Sequence, residues 1–144
     1  MFQKILNTSH SKATVLIRLM VGIVFLSEGL QKFLFTARGV GRFETIGFPS
    51  PEFWASFVGT FEVLCGILIL LGLVTRLASL PLITIMIVAI SSTKIPILLD
   101  HGFWAMMHAA RTDFSMLLGS LFLLIRGGGG WSVDRFILNK RASV

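Results

Sequence analysis

The chain has 144 residues, of which 54% are hydrophobic and only 14% charged, and its mean hydropathy is +0.84. A soluble domain carries about 25% charged residues, so an ordinary water-soluble enzyme is excluded, and four spans of ~20 residues with short loops leave no room for a separate catalytic domain. The net charge of +6 does not read as a nucleic-acid surface: the basic residues are scattered between apolar stretches, where Lys and Arg mark the cytoplasmic side of a membrane.

Residues 1–12 are short, polar and basic, and residues 14–35 form the first span. That run is too long for a cleaved signal peptide, and it continues into Gln31 and Lys32 rather than a small-residue cleavage site. Residues 36–52 read as a loop, because Gly39, Gly41, Gly47, Pro49 and Pro51 interrupt regular structure. Ser50 before Pro51 and Glu52 marks a helix start. The second span is residues 53–74, closed by a tight turn at Gly72, Thr75 and Arg76. The third is residues 77–99, with Pro81 early, where proline is tolerated, and Pro96 late, where it kinks or ends a helix. The fourth apolar run is too short alone, but residues 104–126 are long enough to cross. Gly127 to Gly130 read as a flexible helix exit before a basic tail.

The expected fold is therefore an all-α membrane protein, a four-transmembrane-helix bundle forming one domain over residues 1–144. Lys4, Lys12, Arg76, Arg126, Arg135, Lys140 and Arg141 would share one side, against mainly Arg38 and Arg42 on the other. That bias places both termini in the cytoplasm.

Charges inside apolar stretches are the most informative feature. Glu28 and Lys32 interrupt the first span, Glu62 the second, Lys94 the end of the third, and Arg111 and Asp113 the start of the fourth. Such a charge costs several kcal/mol unless it is paired or faces water, so it marks function or a structural ion pair. At ~1.5 Å per residue all six fall in the outer half of a ~30 Å hydrocarbon core. They balance three against three, and mutual pairing is one way to keep them ionised. Glu28 and Lys32 are spaced to pair along one helix face. Gly59, Glu62 and Gly66 share a face, and Gly22 and Gly29 share another; small residues let membrane helices approach closely, which aims Glu62 into the bundle.

Other signals are weaker. Cys65 is the single cysteine, so neither an internal disulfide nor dithiol exchange by this chain alone is available. His101 and His108 are spaced to share a helix face and lie near Asp113, but a metal site needs about four ligands. No metal or haem is expected. The glycine run lacks the Lys-Ser or Lys-Thr of a phosphate loop. Trp54 and Trp104 fall near the outer boundary, as interfacial anchors do.

The chain resembles the DoxX family of small four-helix membrane proteins. The resemblance rests on Gly22, Phe25, Glu28, Gly29, Lys32 and Phe33, then Gly41-Arg42-Phe43 and Gly47-Phe48-Pro49. It continues through Gly59, Glu62 and Gly66, the run from Leu70 through Gly72 to Thr75 and Arg76, and Asp113, and ends at the glycine exit with Ser132 and Asp134. It implies a bundle in the bacterial inner membrane. Relatives in that family include a subunit of thiosulfate:quinone oxidoreductase and proteins associated with redox-defence complexes.

The leading expectation is thus a membrane subunit of a quinone-linked oxidoreductase complex, with a polar, charge-paired site in the outer half. A quinone needs an apolar channel for its tail and polar groups at its carbonyl oxygens. Glu62 and Glu28 would relay protons. Lys32, Lys94 and Arg111, with Asp113 and His108, would supply polar contacts, and Phe25, Phe33 and Trp104 would line the ring. The chain has no dinucleotide fingerprint and no cysteine pair, so the electron donor would be a separate soluble or peripheral protein. Lipid is the other partner, and a homo-oligomer is left open. The alternative is a non-enzymatic scaffold, assembly factor or small-solute transporter whose charges are structural ion pairs.

Overall fold

The structure, a computed structural model, describes residues 6–142; Lys4 lies outside the described residues. Among those residues it is all-helical. The elements are α1 (Thr14–Leu34), α2 (Val40–Ile46), α3 (Pro51–Leu71), α4 (Thr75–His101), α5 (Phe103–Arg126) and α6 (Val133–Ala142). Three of them, α1, α3 and α4, are long and apolar enough to cross a membrane. α5 runs to 24 residues, with Arg111 and Asp113 in its first half.

Helix boundaries follow local chemistry. α3 begins at Pro51, whose missing N–H and fixed φ suit a first helical position, and ends where Gly72 takes φ 70°, a conformation that favours glycine. α4 is continuous for 27 residues despite Pro81 and Pro96. Pro81 falls in its second turn, and Pro96 withholds only the hydrogen bond to the Ser92 carbonyl. The segment expected to be a loop contains α2, a short helix between Gly39 and Gly47. Gly47, at φ 90°, closes it and donates to the Phe43 and Glu44 carbonyls.

The bundle consists of two closely packed pairs, α1 with α3 and α4 with α5, joined by narrower seams between α3 and α4 and between α1 and α5. Glycines set the first pair. A Cβ on Gly66 would lie 2.9 Å from the Leu26 nitrogen and 3.1 Å from the Gly22 carbonyl oxygen, and one on Gly29 would lie 2.9 Å from the Gly59 carbonyl oxygen. Backbone therefore meets backbone along this face, as in small-residue packing of membrane helices. Val21, Phe25, Ile69, Leu82 and Leu123 fill the core between the pairs, and Cys65 is buried among them.

The α6 end of the bundle is tied shut. Buried Arg18 donates to the carbonyls of Ile69 (2.8 Å), Gly128 (3.3 Å), Leu70 and Trp131. It thereby adds a donor to the Ile69 and Leu70 carbonyls in the last turn of α3, where a helix end leaves carbonyls under-satisfied. Asp134, also buried, accepts from the Val74 and Thr75 amides (2.6 and 3.0 Å) and caps the start of α4. The glycine run, expected to be flexible, is instead packed: added Cβ atoms would fall 2.6–2.8 Å from neighbouring atoms at Gly127, Gly128, Gly129 and Gly130. These glycines let the tail fold back onto residues 7–14, which accounts for the run without invoking mobility.

Candidate functional site

At the opposite end, beneath α2, the two helix pairs diverge around a cavity of about 510 Å³, within the range of about 300–1,000 Å³ usual for small-molecule sites. Phe25, Met86 and Met116 belong to both its lining and the hydrophobic core, and so form its floor. The α2 segment covers it with Arg42, Phe43, Ile46 and Phe48. Phe43 and Phe48 pack edge-to-face at 5.4 Å, and Phe48 meets Trp54 of α3 at 5.9 Å, fixing the cover to the wall.

Each helix pair carries one ion pair facing this cavity. On α1 and α3, Lys32 Nζ donates to Glu62 Oε2 at 2.6 Å, with side chains 10% and 3% exposed. On α4 and α5, Lys94 Nζ lies 3.0 Å from Asp113 Oδ2, at 12% and 20% exposure. Glu62 stands between Gly59 and Gly66, so the helix contact that brings the glycines onto α1 also brings its carboxylate to Lys32. Each ionised group is thereby compensated in a place where an unpaired charge is costly.

Of the residues singled out in the sequence, Glu28, Lys32, Glu62, Lys94, Asp113 and Phe25 line the cavity. The expected Glu28–Lys32 pairing is not formed: Lys32 turns across to Glu62, and Glu28 is exposed and makes no ion pair among the described residues. Four residues lie elsewhere. Arg111 is exposed and donates to the carbonyl of His108 in its own helix. At about 100° per residue, Arg111 is rotated roughly 160° from Asp113, Trp104 about 180° and His108 about 140°, so none can share its inward face. Trp104 is 82% exposed. Phe33 lies on the lipid side of Lys32, 54% exposed, with its ring over Gly59.

The cavity cation that the sequence reading missed is Arg42. It replaces Arg111 in the set of charged lining residues, which still balances three against three. Its signal is the Gly41-Arg42-Phe43 block, which the sequence places in a loop on the outer side and in the family resemblance without giving Arg42 a place in the site. His101 and His108 are separated by the break at Gly102 between α4 and α5 and do not share a helix face. Among the described residues no cluster of three or more His, Cys, Asp or Glu is placed to hold a metal.

Long apolar helices, backbone-close glycine packing and compensated charges facing an interior cavity define a polytopic helical membrane protein. The chain belongs to the DoxX family, whose model matches residues 13–95. It is 50% identical to an uncharacterized membrane protein of Mycobacterium tuberculosis, over 97% of this chain and 90% of that protein. It is 30% identical to CatD of Bacillus subtilis, which bears a provisional oxidoreductase name, over 92% of each. No solved structure matches significantly.

Proposed function

We propose that the chain is the membrane subunit of a quinone-linked redox complex in the bacterial inner membrane. In this reading four helices cross the bilayer, both termini are cytoplasmic, and the cavity opens in the outer half. The carrying observation is the cavity itself: apolar and aromatic walls with an ion pair on each side. This donor set fits a flat, weakly polar ring with two carbonyl oxygens. Lys32 and Lys94 are the hydrogen-bond donors, held ionised by Glu62 and Asp113. Phe25 and Trp54 supply apolar contact. A bound quinone supplies the two-electron acceptor chemistry that this chain lacks. Glu28, which lines the cavity and makes no ion pair among the described residues, takes protons from water in the cavity, and Glu62 holds the proton-exchanging position beside Lys32. Electrons come from a separate redox protein. The oxidoreductase name of CatD supports the redox part of this reading. The packed core and the Arg18–Asp134 closure at the other end favour a one-sided site over a transport path.

The test is to purify the protein from membranes under mild conditions, extract it, and identify bound quinone. Glu28→Gln and Glu62→Gln keep shape while removing the titratable proton. At least one folded variant should lose quinone-linked turnover in the complex. Absence of quinone, together with no binding of added quinone, would remove the reading; full turnover in both variants would remove the proton role.

A further inference from the structure

Three lining residues of the cavity also belong to outward-facing stripes. On α4, Thr84 and Val88 line the cavity, yet Thr84 lies within about 60° of Leu80 and Ile87, which are 47% and 53% exposed, and Val88 is itself 45% exposed. On α3, Phe57 lines the cavity and is 45% exposed, on the stripe of Phe53 and Leu64. Phe57 and Val88 stand at matching heights: at ~1.5 Å per residue each lies about 20 Å from the α3–α4 turn. They flank the narrower α3/α4 seam. Here the cavity meets the surface that the bundle presents to lipid.

A second feature begins at the same residue. A shallow groove of about 280 Å³ runs along the outer surface of α3, lined by Phe53, Ser56, Phe57, Thr60 and Phe61. Its aromatic rings form a continuous ladder, Phe53 to Phe57 stacked at 5.6 Å and Phe57 to Phe61 at 5.0 Å. Cavity and groove share Phe57.

We infer that the cavity and the α3 groove are one bipartite site for a long-chain isoprenoid quinone, with the ring in the cavity and the first isoprene units on the Phe53–Phe57–Phe61 ladder. The inference rests on the quinone reading. The ligand enters sideways from the bilayer, between Phe57 and Val88. An amphiphile with a compact polar head and a continuous apolar tail uses both parts. The unbranched faces of the aromatic ladder suit a flexible, methyl-bearing chain, which contacts them without requiring hydrogen bonds.

Trp54 lines the cavity and is the reporter. In full-length protein in nanodiscs, with Trp104→Phe and Trp131→Phe, quenching of Trp54 emission reads ring occupancy by a long-tailed naphthoquinone and by the same ring without a tail. The tailed ligand should bind at least tenfold more tightly. Phe53→Ala and Phe61→Ala, which interrupt the ladder at residues that line the groove and not the cavity, should each remove most of that advantage while tail-less binding stays within twofold. Equal affinity of the two ligands in the parent protein, or a tail advantage untouched by both variants, would overturn the bipartite site while leaving the quinone reading standing. Failure of both ligands to quench would sink the quinone reading and the inference together. Phospholipid competing with the tailed ligand at stoichiometric amounts would assign the groove to acyl chains and overturn the inference.

Discussion

The Lys32–Glu62 pair allows a quantitative test of what the cavity charges do for the fold. The bond is short at 2.6 Å, and the two side chains differ in burial, 10% for Lys32 and 3% for Glu62. Removing one member of a buried pair costs about 3–5 kcal/mol when the survivor stays desolvated, whereas replacing both by apolar residues of similar size is often neutral. The two single substitutions should differ. After Glu62→Met, the ammonium of Lys32 can extend toward the nearby end of α1 and reach water, so the loss should fall near the lower bound, about 3 kcal/mol. After Lys32→Met, the Glu62 carboxylate is held between Gly59 and Gly66 against α1 and has no such route, so the loss should approach about 5 kcal/mol. The double variant should lie within about 1–2 kcal/mol of the parent, giving a coupling of several kcal/mol where independent sites would add. Reversible unfolding by SDS titration in mixed micelles, followed by far-UV circular dichroism, measures all four corners of the cycle. Losses that add in the double variant, or a Lys32→Met protein as stable as the parent, would refute the compensated-charge argument.

Further consequences follow from the packing and closure contacts. Gly66→Ala should destabilise by about 1–3 kcal/mol, because the new Cβ meets the Leu26 and Gly22 backbone. Gly59→Ala, which meets mainly the movable ring of Phe33, should cost little; paired thermal melts distinguish them. Asp134→Ala should cost about 2 kcal/mol by leaving the Val74 and Thr75 amides without their acceptor, while Asp134→Asn should retain part of the cap. For topology, a membrane-impermeant thiol reagent should label Ser50→Cys but not Asn139→Cys in intact cells, with buried Cys65 as the silent background. The reverse pattern would invert the proposed orientation.

The helical class and the approximate bounds of the long helices were legible in the sequence because a hydrocarbon solvent permits few solutions. Runs of about 20 apolar residues must satisfy their own backbone hydrogen bonds, and Gly72 and Pro51 mark their ends locally. The inward aim of Glu62 was legible too, since Gly59 and Gly66 flank it at helical spacing. Less was readable where a side chain chooses among partners. Spacing allowed Glu28 to pair with Lys32, but the α1–α3 glycine contact brings Glu62 closer, and the bond forms across helices. Arg111 and Asp113 are neighbours in sequence and nearly opposite on the helix, so a charge count alone could not tell which one faces inward.

The polar-looking segment before α3 hid a short helix whose Arg42 and aromatics cover the cavity, because its apolar residues find a surface only once α3 is in place. The glycine run was equally ambiguous: as a string it denotes freedom, while in the fold the N-terminal segment fills the space beside Gly127, Gly129 and Gly130, and Ser132 and Thr75 fill that beside Gly128. Composition and periodicity thus determined the solvent, the helices and the residues that carry charge into them. Which charges meet, and the cavity they enclose, were decided only when two helix pairs packed closely at one end and diverged at the other, since those distances depend on contacts between residues far apart in the chain.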